Sequence, residues 1–411
     1  MTQKITALLT LFLIWVSSPL GFAEKMDIDT HTLVINKLEN VLKRSKKQPE
    51  KLTAMHLRIA DLYAERARLK AMKEIEKDCD NCLKTQSDRR KALKFYTMSF
   101  PRVQGQTRGK VLMQTAHLHQ LLGQRGQAIR WYAKVIRAGR SRYTPYVIAL
   151  AYSGLGEIRF KQGKWASAKI NFERSLKFNE MPTPGFAHYR LAWSHLNLGQ
   201  QRQAAAHLKT ILKDPNLLKT VSRKNDSVDK SFHQDVAHDL ATMIARGPVN
   251  QSQINDLVNL SPQSQKRSNL FYLGTETDRL GKKRSSLLVW DNYLQMGDPS
   301  HLEDLEIQIR VAQLQYDLGR ESTAVKSFAK SCERWTQSGC ESEEKCNELQ
   351  TRLRNFVISW NKKEKTKPSQ QLSAVYSTYI DTFQNDYEMF YRSALVARDV
   401  KSFQRALKHY H

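Results

Sequence analysis

The chain has 411 residues, with 66 Lys and Arg against 40 Asp and Glu, and a formal net charge of +26. Gly (17) and Pro (11) are scarce, which excludes collagen-like and Pro/Gly-rich disordered chains and leaves too few turn residues for a β-sandwich. Aromatic residues make up 9 %, enough for a packed core and too many for a disordered basic tail.

Residues 1–23 read as a targeting segment. Lys4 precedes an apolar run from Ile5 to Val16, and small, helix-breaking residues follow from Ser17 to Ala23. At ~1.5 Å per residue the run is too short for a ~30 Å hydrocarbon core. The layout predicts a cleavable secretory signal cut after Ala23. No Cys lies near the cut, so no lipid anchor is expected. No later stretch reaches the length of a membrane span, and the mature chain is expected to be periplasmic or secreted.

The 24–108 region predicts helices at 27–47, 51–77 and 88–99. Between the last two lies Cys79-Asp80-Asn81-Cys82. An exported chain sits where disulfides form. The CxxC spacing is that of a redox motif, but no βαβ pattern surrounds it, so a local staple is the better reading. With no second CxxC pair, zinc is not expected.

From 109 to 218 apolar and small residues recur at helical spacing. Residues 149–182 and 185–218 overlay on their glycines Gly163 and Gly199. Ala168 then matches Ala204, Phe172 matches Leu208, and Leu176 matches Leu212. A third copy at 109–143 carries Ala116, Gly123, Ala128 and Tyr132. Residues 219–266 predict a polar loop, then two helices around Gly247-Pro248. Two more copies follow within 267–338: one with Gly274, Gly281, Ser286 and Trp290, the other with Ala312, Gly319, Ala324 and Phe328. The 339–411 region predicts a helical pair at 341–363 and 369–383, then an incomplete repeat with Phe390, Ala394, Ala397, Ala406 and Tyr410. Its uncovered end implies a partner or further chain. Cys332, Cys340 and Cys346 are close enough for one short bridge; Cys332 takes a core position, so a buried free thiol is the alternative there. The disulfide candidates are Cys79, Cys82, Cys340 and Cys346.

This pattern resembles the tetratricopeptide repeat, a helical hairpin of ~34 residues. The resemblance implies an all-α solenoid, a right-handed superhelix of stacked hairpins, with the 24–108 region a degenerate repeat in which Ala60 and Tyr63 take first-helix positions. It also implies a concave groove lined by the second, fifth, sixth, ninth, twelfth and thirteenth residues of each unit. Those positions give Lys110, Gln114, His117, Phe160, Lys161, Tyr189, Arg190, Trp193 and Asn197. In the later repeats they give Phe271, Tyr272, Arg279, Arg310 and Tyr316. Aromatics alternating with Arg suit peptide recognition. The Lys/Asn clamp of chaperone-binding members is not matched. The long first helix and Cys-bearing insertion are loosely similar to exported repeat proteins of gliding motility and envelope assembly.

Catalytic patterns are missing: no GxSxG, HExxH or P-loop occurs. His207, His233 and His238 read as surface histidines, and His117 and His119 point to different faces. The expectation is therefore a non-catalytic scaffold with no cofactor and no metal, binding protein partners in the cell envelope. The alternative is a binder of anionic cell-wall or lipopolysaccharide components through dispersed basic faces. No nucleic-acid motif appears.

Overall fold

The computed structural model describes residues 26–44, 49–219, 228–297, 301–338, 343–364 and 367–400. The targeting segment, Cys340 and the 401–411 end lie outside the described residues. Within them the chain is all-α, and its helices divide into two units, one ending at His233 and one beginning at Gln234.

The first unit opens with α1 (Ile28–Arg44), α2 (Pro49–Glu76) and α3 (Thr85–Ser99). Three hairpins follow: α4 (Gly105–Leu121) with α5 (Arg125–Ala138), α6 (Pro145–Lys161) with α7 (Trp165–Leu176), and α8 (Pro184–Asn197) with α9 (Gln201–Lys213). The helix α10 (Lys230–Arg246) crosses the division. The second unit continues with α11 (Gln251–Leu260), the hairpin of α12 (Lys266–Arg279) and α13 (Lys283–Gln295), and that of α14 (His301–Asp317) and α15 (Glu321–Gln337). It closes with α16 (Glu343–Lys363), α17 (Gln370–Thr382) and α18 (Tyr387–Asp399). Five helical hairpins thus span 105–138, 145–176, 184–213, 266–295 and 301–337, and the fold is tetratricopeptide-like.

Two local devices make the hairpins. The turn glycines sit in the left-handed region, with Gly163 at φ 70° and Gly199 at φ 73°. Each lets the next amide reach back five residues, from Lys164 to the Arg159 carbonyl and from Gln200 to the His195 carbonyl, both at 2.9 Å. That 6→1 bond closes a Schellman motif and ends the first helix. The second device is a missing side chain. At Gly274 a Cβ would stand 2.5 Å from the Trp290 ring, so only glycine lets α12 and α13 approach this closely.

Small residues on the second helices serve the same end: Ala92, Ala128, Ala168, Ala204 and Ala324 are all fully buried. Larger rings fill the remaining space, Tyr132 and Phe172 in the first unit and Trp290 and Phe328 in the second. First helices also meet successive first helices, α4 with α6 and α6 with α8, while each second helix packs chiefly onto first helices. First helices are therefore covered along most of their length. Second helices keep one face open.

Cys79 and Cys82 form a disulfide across the loop between α2 and α3. Cys346 is also disulfide-bonded. Cys332 is a buried free thiol, which burial pushes up to about 12.

Candidate partner-binding groove

The surface of α2 and α4 holds a cavity of about 320 Å³ lined by Leu57, Arg58, Asp61, Ala64, Glu65, Tyr96, Thr107, Lys110, Val111 and Gln114. A second, of about 260 Å³, lies on the other side of Lys110, between α4 and the start of α6, with Tyr143, Tyr146 and Glu180 in its wall. Lys110 is the residue common to both.

The charges here are arranged unevenly. Asp61 accepts a hydrogen bond from the Tyr96 hydroxyl. Burial of its surroundings raises the Asp61 carboxyl above its ordinary value, against the Tyr96 bond and the Arg58 and Lys110 charges. Glu65 is held by Arg68, with Nη2 to Oε1 at 2.6 Å. Arg58 and Lys110 form no ion pair among the described residues. The groove thus offers two uncommitted cations, one of them half-buried, beside apolar wall and the amide of Gln114. Such a site can take the carboxylate or carbonyl groups of an extended segment.

Of the expected groove residues, Lys110 and Gln114 stand in this cavity. His117, one turn further, is instead buried, and neither ring nitrogen has a partner among the described residues. Burial pushes its imidazole down to about 4, and the Arg89 and Lys161 charges add to the effect.

Most of the aromatic and Arg positions are used inside the fold. Arg190 is buried and donates to Glu157 twice, Nε to Oε2 at 2.9 Å and Nη2 to Oε1 at 2.8 Å. Phe160 and Phe186 lie against the same guanidinium, at 4.7 and 5.0 Å. Phe160 also packs edge-on to Trp165. Tyr189 is buried against Phe232. Trp193 is half-buried, while Lys161 and Asn197 are exposed.

The second unit repeats the pattern. Arg310 donates to both carboxylate oxygens of Asp278, which also accepts from Trp290 Nε1. Arg279 is paired with Glu276. Phe271 packs on Trp290 and Tyr293, and Tyr272 on His238. Tyr316 is buried beside Trp360, with the Lys363 ammonium 4.5 Å over its ring.

Asp61 and Arg58 did not emerge from the sequence overlay, although a signal existed. With Ala60 aligned to Ala116, the groove positions of α2 become 54, 57, 58, 61, 64 and 65, and all but the first line the cavity. The missing turn glycine hid this register.

Of the histidines read as surface residues, His238 is exposed and His233 half-buried; His207 is half-buried and meets His188 and His195. Its Nδ1 lies 3.0 Å from Nδ1 of His188, and desolvation with the two neighbouring rings pushes it down to about 4. His195 is turned to Gln200, at 2.7 Å. Among the described residues no group of three or more His, Cys, Asp or Glu is placed to hold a metal ion. None of the described helices is long and apolar enough to cross a membrane.

No family model matches the chain, and no curated sequence does. Solved structures similar to it are helical-repeat proteins. The C-terminal part of a TPR repeat-containing protein from Cytophaga hutchinsonii is 12 % identical, with a TM-score of 0.41 over 68 % of this chain and 95 % of that one. Yeast Tom70 is 14 % identical, with a TM-score of 0.38 over 89 % and 67 %. A tetratricopeptide repeat protein from Parabacteroides merdae is 12 % identical, with a TM-score of 0.31 over 71 % and 98 %.

Proposed function

We propose that the chain is a non-catalytic scaffold that holds an extended segment of a partner protein on its first helices, at the groove between α2, α4 and α6. The supporting observation is the pair of uncommitted cations, Arg58 and Lys110, flanked by cavities on both sides of Lys110. Elsewhere on the first helices Arg190 and Arg310 are already neutralised by neighbouring carboxylates. A partner that meets them gains little, because its charge would compete with a bidentate pair. The apolar run at 5–16 supports an exported, envelope-associated scaffold.

The test is photo-crosslinking in cells from a probe residue at Gln114 or Thr107, with a control probe at Ile170 on a second helix. One partner species should appear from the groove probes and vanish with Arg58→Glu plus Lys110→Glu. Crosslinks that are unchanged by the charge reversal would refute the groove. Recovery of the intact chain with residue 1 present would refute export.

A further inference from the structure

The basic residues look dispersed along the sequence, but the hairpin register gathers many of them on one kind of surface. Each second helix of the first unit has a fully buried alanine: Ala92, Ala128, Ala168 and Ala204. Residues two, six and nine places later lie roughly 180–240° around the helix from it, and so face outward. Two places on stand Lys94 and Arg130; six on, Lys134 and Arg174; nine on, Arg137, Lys177 and Lys213, all exposed. None of the seven forms an ion pair among the described residues.

Acidic residues are kept off this face. Helices α5 and α9 contain none, and the Asp88 of α3 is buried under Arg66 and Lys70. Glu173 on α7 is the exception, and it stands beside the face. The second unit carries the pattern on one helix only. The same offsets from Ser286 give Leu288, Asn292 and Gln295, and those from Ala324 give Lys326, Lys330 and Glu333. Seven of the twelve outward positions are basic in the first unit against two of six in the second, so the surplus is densest on this surface.

We infer that the outward face of α3, α5, α7 and α9 docks onto an anionic phospholipid bilayer. Three observations favour a lipid surface over a nucleic-acid duplex. The cations are spread across separate helices and do not follow one another along a single element. Of the five remaining positions of the register, Met98 and Ile170 are exposed large apolar side chains, 44 % accessible each, which a headgroup layer accommodates and a phosphate backbone does not; the others are Pro101, Ala206 and Thr210. Two of the seven cationic side chains lie over half-buried rings: Lys134 at 4.2 Å from Trp131 and Arg174 at 5.8 Å from Tyr152. Cation and ring together form the amphipathic edge found at membrane interfaces.

The experiment is co-sedimentation of the mature chain with vesicles of phosphatidylcholine containing about 30 mol % phosphatidylglycerol, and with phosphatidylcholine alone. Binding is expected to the mixed vesicles only, and to fall as salt rises from ~0.05 to ~0.5 M. Arg130→Glu/Lys134→Glu/Arg137→Glu should weaken it by about ten-fold or more, since each reversal turns one attraction into a repulsion. Lys177→Glu/Lys213→Glu, on different helices, should weaken it too. Both variants change exposed side chains, and unchanged helical circular dichroism verifies their fold. The reversal Arg58→Glu/Lys110→Glu should leave vesicle binding intact, which separates this surface from the partner groove. Equal binding to neutral vesicles, no loss in either outer-face variant, or tighter binding to a ~20-base-pair DNA duplex than to the mixed vesicles would overturn the inference.

Discussion

His117 gives the sharpest test of how the first unit is held together. Its ring is buried and neither nitrogen is hydrogen-bonded among the described residues. The folded chain therefore favours the neutral imidazole, and burial takes it from the ordinary 6.5 down to about 4. The sign follows from proton counting. Between these two values the unfolded chain binds a proton at His117 and the folded chain does not, so stability falls as pH falls. It is fully present above pH 6.5, declines below it, and levels off near pH 4. Each pKa unit corresponds to 1.36 kcal/mol, so the loss from this one residue is about 3 kcal/mol. His117→Leu removes it. At pH 7 the variant should be more stable by about 1–3 kcal/mol, because a buried polar group without a partner is replaced by an apolar one. Between pH 7 and 4.5 its advantage should widen by about 2–3 kcal/mol. Urea unfolding at pH 7, 6, 5 and 4.5, with hydrogen exchange of the α4 amides, measures this. His56, His188 and His207 are also depressed, but they contribute equally to both proteins and cancel in the difference. A gap that stays constant with pH would show that the ring is charged or bonded in the folded chain, and the account of its burial would fail.

Three further outcomes follow from the packing. Glu157→Gln or Arg190→Met alone should cost about 3–5 kcal/mol in thermal or urea unfolding, because each leaves a buried group of the pair uncompensated; the double variant should recover much of that loss. If the two single losses simply add, the pair is not coupled. Gly274→Ala places a methyl 2.5 Å from Trp290 and should destabilise by about 1–3 kcal/mol, whereas Gly126→Ala, with open space around it in α5, should stabilise by about 0.5–1 kcal/mol. Equal signs for the two would contradict the close approach of α12 and α13. The Cys332 thiol should resist alkylation at pH 8 in the native chain and react at once in urea, since burial holds it as the thiol; prompt native labelling, read by mass spectrometry, would refute its place in the core.

The helical-hairpin fold was legible because its signals are local and repeated. A turn glycine, a small residue and a large ring at fixed offsets report backbone conformation and close approach within one hairpin, and five copies appear. The groove was less legible because what opens or closes it is a relation between two hairpins. The register puts Arg190 among the groove positions, yet its side chain is buried. Glu157, 33 residues earlier, is the ninth residue of the preceding unit and so shares the groove face, but the register does not say that the two side chains pair. Arg310 meets Asp278 across 32 residues by the same logic. Lys110 escapes for a reason that is also readable, but only from neighbours. Its own helix α4 has no acidic residue, the one carboxylate of α6 is Glu157, already taken by Arg190, and Asp61 on α2 is held by Tyr96. A groove cation in such an array stays available where the adjoining first helices offer no spare carboxylate. Comparing charges between successive repeats, and not residue types within each, is what separates a strut from a binding residue.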